Sequence, residues 1–363
     1  MTATELIELR AQAGGRGGPP VHAALRRAKN RDIAAIVVHP TSDFMGHYLM
    51  GPLPDCGVTL LALNTRYVGN DSQLIFEFLI ADVGAAVRFL RDEGYGKIVL
   101  LGNSGGASTV AFYQEQAETL TITDTPAGDP VRLSPEDLPP ADGIALFGAH
   151  PGRAIILPKW LDAAVTDERD PDSRDPALDI FNPDYGPPFS PDFIGKVRKA
   201  QYARWHRITA WAKDRLAEIR AVPDGARDEA FLVHHTVADP RFLDVSLDPN
   251  DRAPGMVWGD PRKLNFSPKD VACFTTLTSW LSQWSTESRA HGPDCIARTS
   301  VPVLNVEFTA DTNVLPSDTA MWTEALGERQ ELHSLKGATH FLIGQPDFQR
   351  ELAGLIAGWS QRN

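Results

Sequence analysis

Apolar residues along this chain fall into short continuous runs, which polar or turn-forming segments separate. Five runs are rich in Val, Ile, Leu and Ala: residues 32–40, 58–64, 97–102, 143–148 and 302–308. A short apolar run between breakers is typical of a strand that is buried on both faces of a parallel sheet. The pattern therefore predicts five buried strands, together with an edge strand at residues 21–27 and a last strand at residues 331–337.

Between the second and third runs, apolar residues recur at three- and four-residue spacing from Phe76 to Leu90. This period predicts a helix whose apolar stripe packs on the sheet and which ends at Gly94. Strands that alternate with helices form right-handed crossovers, which place helices on both faces of the sheet. We therefore predict an α/β fold with a mostly parallel central sheet and helices on both faces.

The alternation is interrupted after Gly148, because the next apolar strand begins near Val301. The intervening sequence predicts a long helix over residues 194–219 and a second helix over residues 268–289. Six of the eight tryptophans lie here, so we expect a mainly helical insertion with aromatic residues inside it. Residues 1–20 end in GGRGGPP, which predicts a flexible N-terminal segment.

The clearest chemical motif is GNSGG, in which Ser104 follows the third apolar run and precedes a segment compatible with a helix. It fits G-x-S-x-G, the sharp strand-to-helix turn that raises a serine hydroxyl above a sheet. Glycine is needed on either side because the turn brings the backbone close together. A phosphate-binding turn is the alternative, but the stretch lacks a Walker lysine and the G-x-G-x-x-G spacing.

A nucleophilic serine needs a base, and the base needs a carboxylate that orients it. In such sheets the acid and then the histidine follow the serine along the chain. Asp311 lies just past the strand at residues 302–308, and His340 lies in a later loop, GATH. Glu307 and Asp318 remain alternatives for the acid, although Glu307 lies on the strand rather than beyond its end.

In these features the chain resembles the α/β-hydrolase superfamily over residues 21–152 and 301–363, with the middle as a variable insertion. The resemblance implies that Ser104 is the nucleophile, Asp311 the orienting acid and His340 the general base. It also implies four parts, which we place at residues 1–20 (flexible segment), 21–152 (first part of the core), 153–298 (cap insertion) and 299–363 (second part of the core).

The family also forms an oxyanion hole from backbone N–H groups, and here the N–H of Gly105 is the first expected donor. The family has His-Gly after an early strand, where this chain has His39-Pro40-Thr41-Ser42. Because proline has no N–H, Thr41 (or Ser42) is expected to be the second donor.

Ligands bind outside the carboxyl ends of the strands in such sheets, so the insertion is expected to cap the pocket there. Substrate contacts are expected from His39, Ser42, His150 and Trp160, which lie at or just beyond strand ends. Because aromatic residues mostly pack together, these tryptophans fit the core of the cap itself; the other interpretation, an aromatic lining of the pocket, favours a mostly apolar substrate.

Charge and cysteine content disfavour some classes of binding partner. With 35 Lys and Arg against 47 Asp and Glu, the net charge of −12 argues against nucleic acid and anionic membranes. The three cysteines lie far apart without a Cys/His cluster, so neither a metal site nor a cofactor is expected. The chain has no apolar leader at its start, which favours a cytoplasmic protein. A small-molecule substrate is expected, and a homo-oligomer is left open.

The expected activity is hydrolysis of a carboxylic ester or lactone through an acyl-serine intermediate. Cleavage of an amide, a thioester or a carbon–carbon bond uses the same three residues and stays open. Dehalogenase and epoxide hydrolase chemistry is disfavoured, because both use an aspartate at the position of Ser104. A binding protein that has lost catalysis is the alternative from a different class.

Overall fold

The apolar runs of the sequence become neighbouring strands in the computed structural model, which describes residues 3–13, 16–268 and 271–363. The strands are β1 (Thr4–Ala13), β2 (Arg16–Arg26), β3 (Ile33–His39), β4 (Thr59–Asn64), β5 (Lys97–Ser104), β6 (Gly143–Ala149), β7 (Val165–Asp167), β8 (Asp170–Arg174), β9 (Ala230–Leu232), β10 (Phe274–Thr276), β11 (Val303–Phe308) and β12 (Gln330–Leu335). Eight of them form one sheet in the order β1-β2-β4-β3-β5-β6-β11-β12.

The sheet is parallel from β4 to β12, whereas β2 runs antiparallel to both β1 and β4. The parallel strands correspond to the predicted apolar runs, and their carboxyl ends meet at one edge. The predicted α/β class with a mostly parallel central sheet is confirmed.

Helices cover both faces of this sheet. The helices of the described residues, those beside the sheet and those of the insertion together, are α1 (Pro52–Asp55), α2 (Phe76–Asp92), α3 (Gly106–Glu118), α4 (Arg153–Trp160), α5 (Pro191–Arg220), α6 (Pro261–Asn265), α7 (Leu277–Gln283), α8 (Gly292–Ala297), α9 (Pro316–Leu326) and α10 (Pro346–Arg362). Successive side chains of a strand point to opposite faces. Accordingly, Ile36 of β3 packs in the cluster that contains α2 and α3, and Val37 packs in the cluster that contains α1 and α10.

The expectation of a flexible first segment and an edge strand at residues 21–27 is wrong. Residues Thr4–Ala13 form an edge strand that pairs with β2, and β2 lies inside the sheet because it also pairs with β4. Alternate side chains of this strand face the core, and burial of Leu9 and Ala11 in the cluster that contains α2 stabilises it. Residues 1, 2, 14 and 15, which belong to the predicted flexible segment, lie outside the described residues.

The insertion contains the predicted long helix, observed as α5, but the helix expected over residues 268–289 is wrong. Strand β10 pairs with β9 in that stretch, and only the short helix α7 follows. The hydroxyl of Thr276 accepts a hydrogen bond from the N–H of Ser279 and so begins α7 at a defined N-cap. Residues 269 and 270 of the expected helix lie outside the described residues.

Helix α7 contacts α2 through a buried carboxyl group. The hydroxyl of Ser282 donates to Oε2 of Glu77 over 2.7 Å and accepts from the N–H of Phe76 over 2.9 Å. Within the described chain Oε1 of Glu77 has no hydrogen-bond partner, and the side chain is fully buried. Burial raises the pKa of Glu77 to about 7, because the carboxylate loses hydration.

Glu77→Gln should therefore stabilise the protein at neutral pH. The folded state holds the Glu77 proton more tightly than the unfolded chain does. The free energy of unfolding of the wild-type protein therefore falls as the pH rises from about 4.5 to about 7. Glutamine is uncharged at every pH. We expect a gain of about 1–3 kcal/mol in the free energy of unfolding at pH 8, and little gain at pH 4.

Urea unfolding of both proteins at pH 8 and pH 4 measures this difference. Glu324→Gln, on the exposed side of α9, is the matched control. An equal effect of Glu77→Gln at the two pH values would contradict the assignment of a buried ionising group.

Candidate active site

Ser104 lies at the end of β5 with φ at +53°, an unusual conformation for a residue other than glycine. Helix α3 begins two residues later. A Cβ atom at Gly102 would lie 2.8 Å from Cα of Ala107, and one at Gly106 would lie 2.0 Å from the carbonyl oxygen of Val38. Both positions therefore require glycine, and the tight turn holds the Ser104 side chain above the carboxyl edge of the sheet.

The structure brings Ser104, His340 and Asp311 into one hydrogen-bonded chain. Nε2 of His340 lies 3.0 Å from Oγ of Ser104, and Nδ1 lies 2.7 Å from Oδ2 of Asp311. Oδ1 of Asp311 accepts from the N–H groups of Asn313 and Val314. Since a carboxylate only accepts, Nδ1 of His340 carries the proton and Nε2 can accept the one from the serine.

The two alternative acids lie elsewhere. The carboxylate of Glu307 accepts from the hydroxyl of Ser334 on the neighbouring strand. Asp318 is buried at the start of α9, where it pairs with Lys159 and Arg241 from the insertion. In the described chain, Asp311 is the carboxylate that contacts His340.

A cavity of about 460 Å³ opens above Ser104. Its wall includes the residues expected to contact substrate, namely His39, Ser42, His150 and Trp160. The insertion contributes further apolar side chains, namely Ile156, Trp258, Val271 and Trp284. Trp258 and Trp284 are two of the six tryptophans counted in the insertion, whereas nothing in the sequence pointed to Ile156 or Val271.

Arg153 is a charged residue of the wall that sequence reasoning missed, as is its partner Asp71. Its guanidinium donates to Asp71, to Gln283 and, over 3.1 Å, to the hydroxyl of Thr41. It also lies over the ring of Trp284, 4.7 Å from the centroid. Its position just past the end of β6 was the available signal, because the ends of parallel strands line such sites.

The loop after β3 differs from the expectation for an oxyanion loop. The N–H groups of Thr41 and Ser42 donate to Nδ1 of His39, over 3.2 Å and 2.9 Å. Both groups expected to face an oxyanion therefore already have an acceptor. Gly105 lies at the start of α3, where the first N–H groups of a helix have no partner within the helix.

Two histidines of the wall are held neutral. Burial, followed by the neighbouring charge of Arg153, keeps the pKa of His39 well below its ordinary value. Burial and the nearby His340 lower the pKa of His150 to about 4. The amide of Asn313 lies 2.9 Å from Nε2 of His150. Neutral imidazoles leave the carboxylate of Asp311 to act on His340.

In the described part of the chain, no group of three or more His, Cys, Asp or Glu side chains could hold a metal ion. Among the same residues, every helix is too short or too polar to cross a bilayer.

No family model and no curated protein matches this sequence. Solved structures do resemble the chain. A carboxyl esterase from Bacillus coagulans in complex with glycerol is 13% identical, covers 99% of this chain and 98% of its own, and has a TM-score of 0.48. Est1E from Butyrivibrio proteoclasticus, with ferulic acid bound, is 12% identical over 98% and 99% of the two chains, with a TM-score of 0.48.

DcsB, solved in complex with its substrate analogue, is 12% identical over 99% of this chain and 100% of its own, with a TM-score of 0.51. A likeness at this identity concerns the backbone alone. Together with the strand order and the turn at Ser104, it shows that the chain has the α/β-hydrolase fold.

Proposed function

We propose that this protein is a serine hydrolase that cleaves a carboxylic ester or lactone of a mostly apolar small molecule. The hydrogen-bonded chain from Ser104 through His340 to Asp311, at the floor of an open cavity, carries the proposal. A histidine that accepts from a serine and donates to a carboxylate is arranged for nucleophilic catalysis.

In the first half of the reaction Oγ of Ser104 attacks the carbonyl carbon, and its proton moves to Nε2 of His340. The carbonyl electrons move to oxygen, and the N–H of Gly105 stabilises that oxyanion. When the tetrahedral intermediate collapses, His340 returns the proton to the leaving alcohol and an acyl-serine remains. Water then repeats the sequence, which releases the acid and frees Ser104.

An active-site-directed fluorophosphonate tests the serine directly. We expect it to label wild-type protein once, at Ser104, and to leave Ser104→Ala unlabelled, as intact-mass and peptide mass spectrometry will show. A panel of esters, lactones, thioesters and amides then identifies the bond. Absence of labelling in folded wild-type protein would refute the serine-hydrolase proposal. Labelling together with turnover of amides alone would overturn only the choice of bond.

The walls of the cavity favour an apolar acyl or alcohol group. Trp258 is suited to a test, because it lines the cavity yet is 49% exposed, so its removal should leave no internal void. Trp160 is less suitable, since it is 2% exposed and packs against Phe242.

Trp258→Ala should change the ratio of kcat/KM between a long-chain and a short-chain ester by about 10- to 100-fold. The reason is that an apolar wall contact discriminates between substrates but takes no part in proton transfer. Trp211→Ala, on an exposed tryptophan outside the cavity wall, is the matched control. Equal losses on both esters would show that Trp258 does not set substrate preference.

A further inference from the structure

His39 has one ring nitrogen whose role is defined by the backbone. Nδ1 receives hydrogen bonds from two N–H groups, those of Thr41 and Ser42. A nitrogen that accepts hydrogen bonds has no proton of its own, so in the neutral ring the proton is on Nε2. The loop thus selects one tautomer of His39, the one that presents an Nε2–H donor.

This donor lies beside the start of α3. A Cβ atom at Gly105 would lie 2.9 Å from Nε2 of His39, so the ring occupies the space next to the Gly105 backbone. His39, Gly105 and Ser104 all line the same cavity. Nε2 makes no hydrogen bond to any described residue, and the positive charge of Arg153 acts on the ring.

We propose that His39 is a catalytic residue, which completes the oxyanion hole with its Nε2–H beside the N–H of Gly105. The assignment rests on the proposed serine-hydrolase function. As the bond from Oγ of Ser104 to the carbonyl carbon forms, the carbonyl oxygen gains the electron pair and accepts from these two donors. No proton leaves His39, and both hydrogen bonds relax when the carbonyl is restored.

The surroundings of His39 keep this donor in place. Burial and the charge of Arg153 hold the pKa of His39 well below its ordinary value, so the ring stays neutral with Nδ1 unprotonated. In a charged ring both nitrogens carry protons, so Nδ1 could no longer accept the hydrogen bonds from the N–H groups of Thr41 and Ser42. The arrangement also explains how a chain with Pro40 in this loop can supply a second donor.

Two polar variants separate a donor role from a structural one. In His39→Asn the side-chain oxygen can still accept from the loop at the place of Nδ1, but nothing reaches the place of Nε2. In His39→Gln the amide N–H can reach the place of Nε2, while the acceptor for the loop is lost. A donor role predicts that the asparagine variant is the weaker enzyme, and a structural role predicts the reverse.

The measurements are kcat and KM on the best ester, the rate of fluorophosphonate labelling, and the thermal midpoint of each variant. We expect His39→Asn to lower kcat and the labelling rate by about 10²- to 10³-fold with little change in KM. We expect His39→Gln to stay within about tenfold of wild type. His206→Ala, on the exposed face of α5, should match wild type.

Equal losses in the two variants, or a larger loss in His39→Gln, would overturn the assignment. So would full activity in His39→Asn, which would leave the oxyanion to Gly105 and another group. Labelling also keeps this outcome separate from the proposed function: a labelled wild type beside an equally labelled His39→Asn refutes the His39 role alone, whereas an unlabelled wild type refutes the serine hydrolase itself.

Discussion

Replacing Ser104 by alanine should lower kcat/KM on the best ester by about 10⁴-fold or more. The reason is that Oγ of Ser104 is the atom 3.0 Å from Nε2 of His340, and no other hydroxyl contacts that nitrogen within the described residues. Alanine is small enough for the turn, where φ is +53°, so the fold should be retained. Rates of ester hydrolysis and the thermal midpoint test both statements.

Ser300→Ala is the matched control, because this exposed residue precedes β11 at the opposite end of the strands from Ser104. It should leave kcat/KM unchanged. If folded Ser104→Ala kept a tenth of wild-type activity, Ser104 could not be the nucleophile.

Asp311→Asn should lower kcat by about 10³- to 10⁴-fold with the fold intact. Oδ1 can still accept from the N–H groups of Asn313 and Val314, so the new amide NH₂ takes the place of Oδ2 and faces Nδ1 of His340. An amide donates there instead of accepting. His340 must then carry its proton on Nε2, where it blocks proton transfer from Ser104.

Glu307→Gln is the informative comparison, because Glu307 lies on β11, which ends shortly before Asp311, and accepts from Ser334 instead of contacting His340. We expect it to retain activity. A crippled Glu307→Gln beside a nearly normal Asp311→Asn would assign the acid to Glu307 instead.

The core of the fold was open to prediction because its signals are local. An apolar run with breakers at both ends indicates a buried strand wherever it lies, and the strands found at Ile33–His39 and Lys97–Ser104 differ from the predicted runs by one or two residues. The glycines around Ser104 indicate a turn in which backbone atoms only a few residues apart in sequence come close together. The edge strand β1 was missed since its alternation is short and lies beside a glycine-rich stretch that suggests flexibility.

For the candidate site, the motif around Ser104 and the chain order of the residues that follow strands predicted Ser104, Asp311 and His340, since parallel strands end at one edge. Which acid contacts His340 depends on how the loops after β11 and β12 meet, and no periodicity of the sequence encodes this. The sequence favoured Asp311 over Glu307 and Asp318 because Asp311 follows the strand end, and the contact of Asp311 with His340 is what the folded chain adds.

The loop after β3 shows the same limit more clearly. Sequence established that Pro40 has no N–H, and so that a second donor had to come from nearby. Only the tertiary structure decided that the N–H groups of Thr41 and Ser42 turn to Nδ1 of His39 and that its Nε2 faces Gly105. A hydrogen bond depends on direction as well as on neighbourhood, and direction is set by how the whole loop packs against α3 and Arg153.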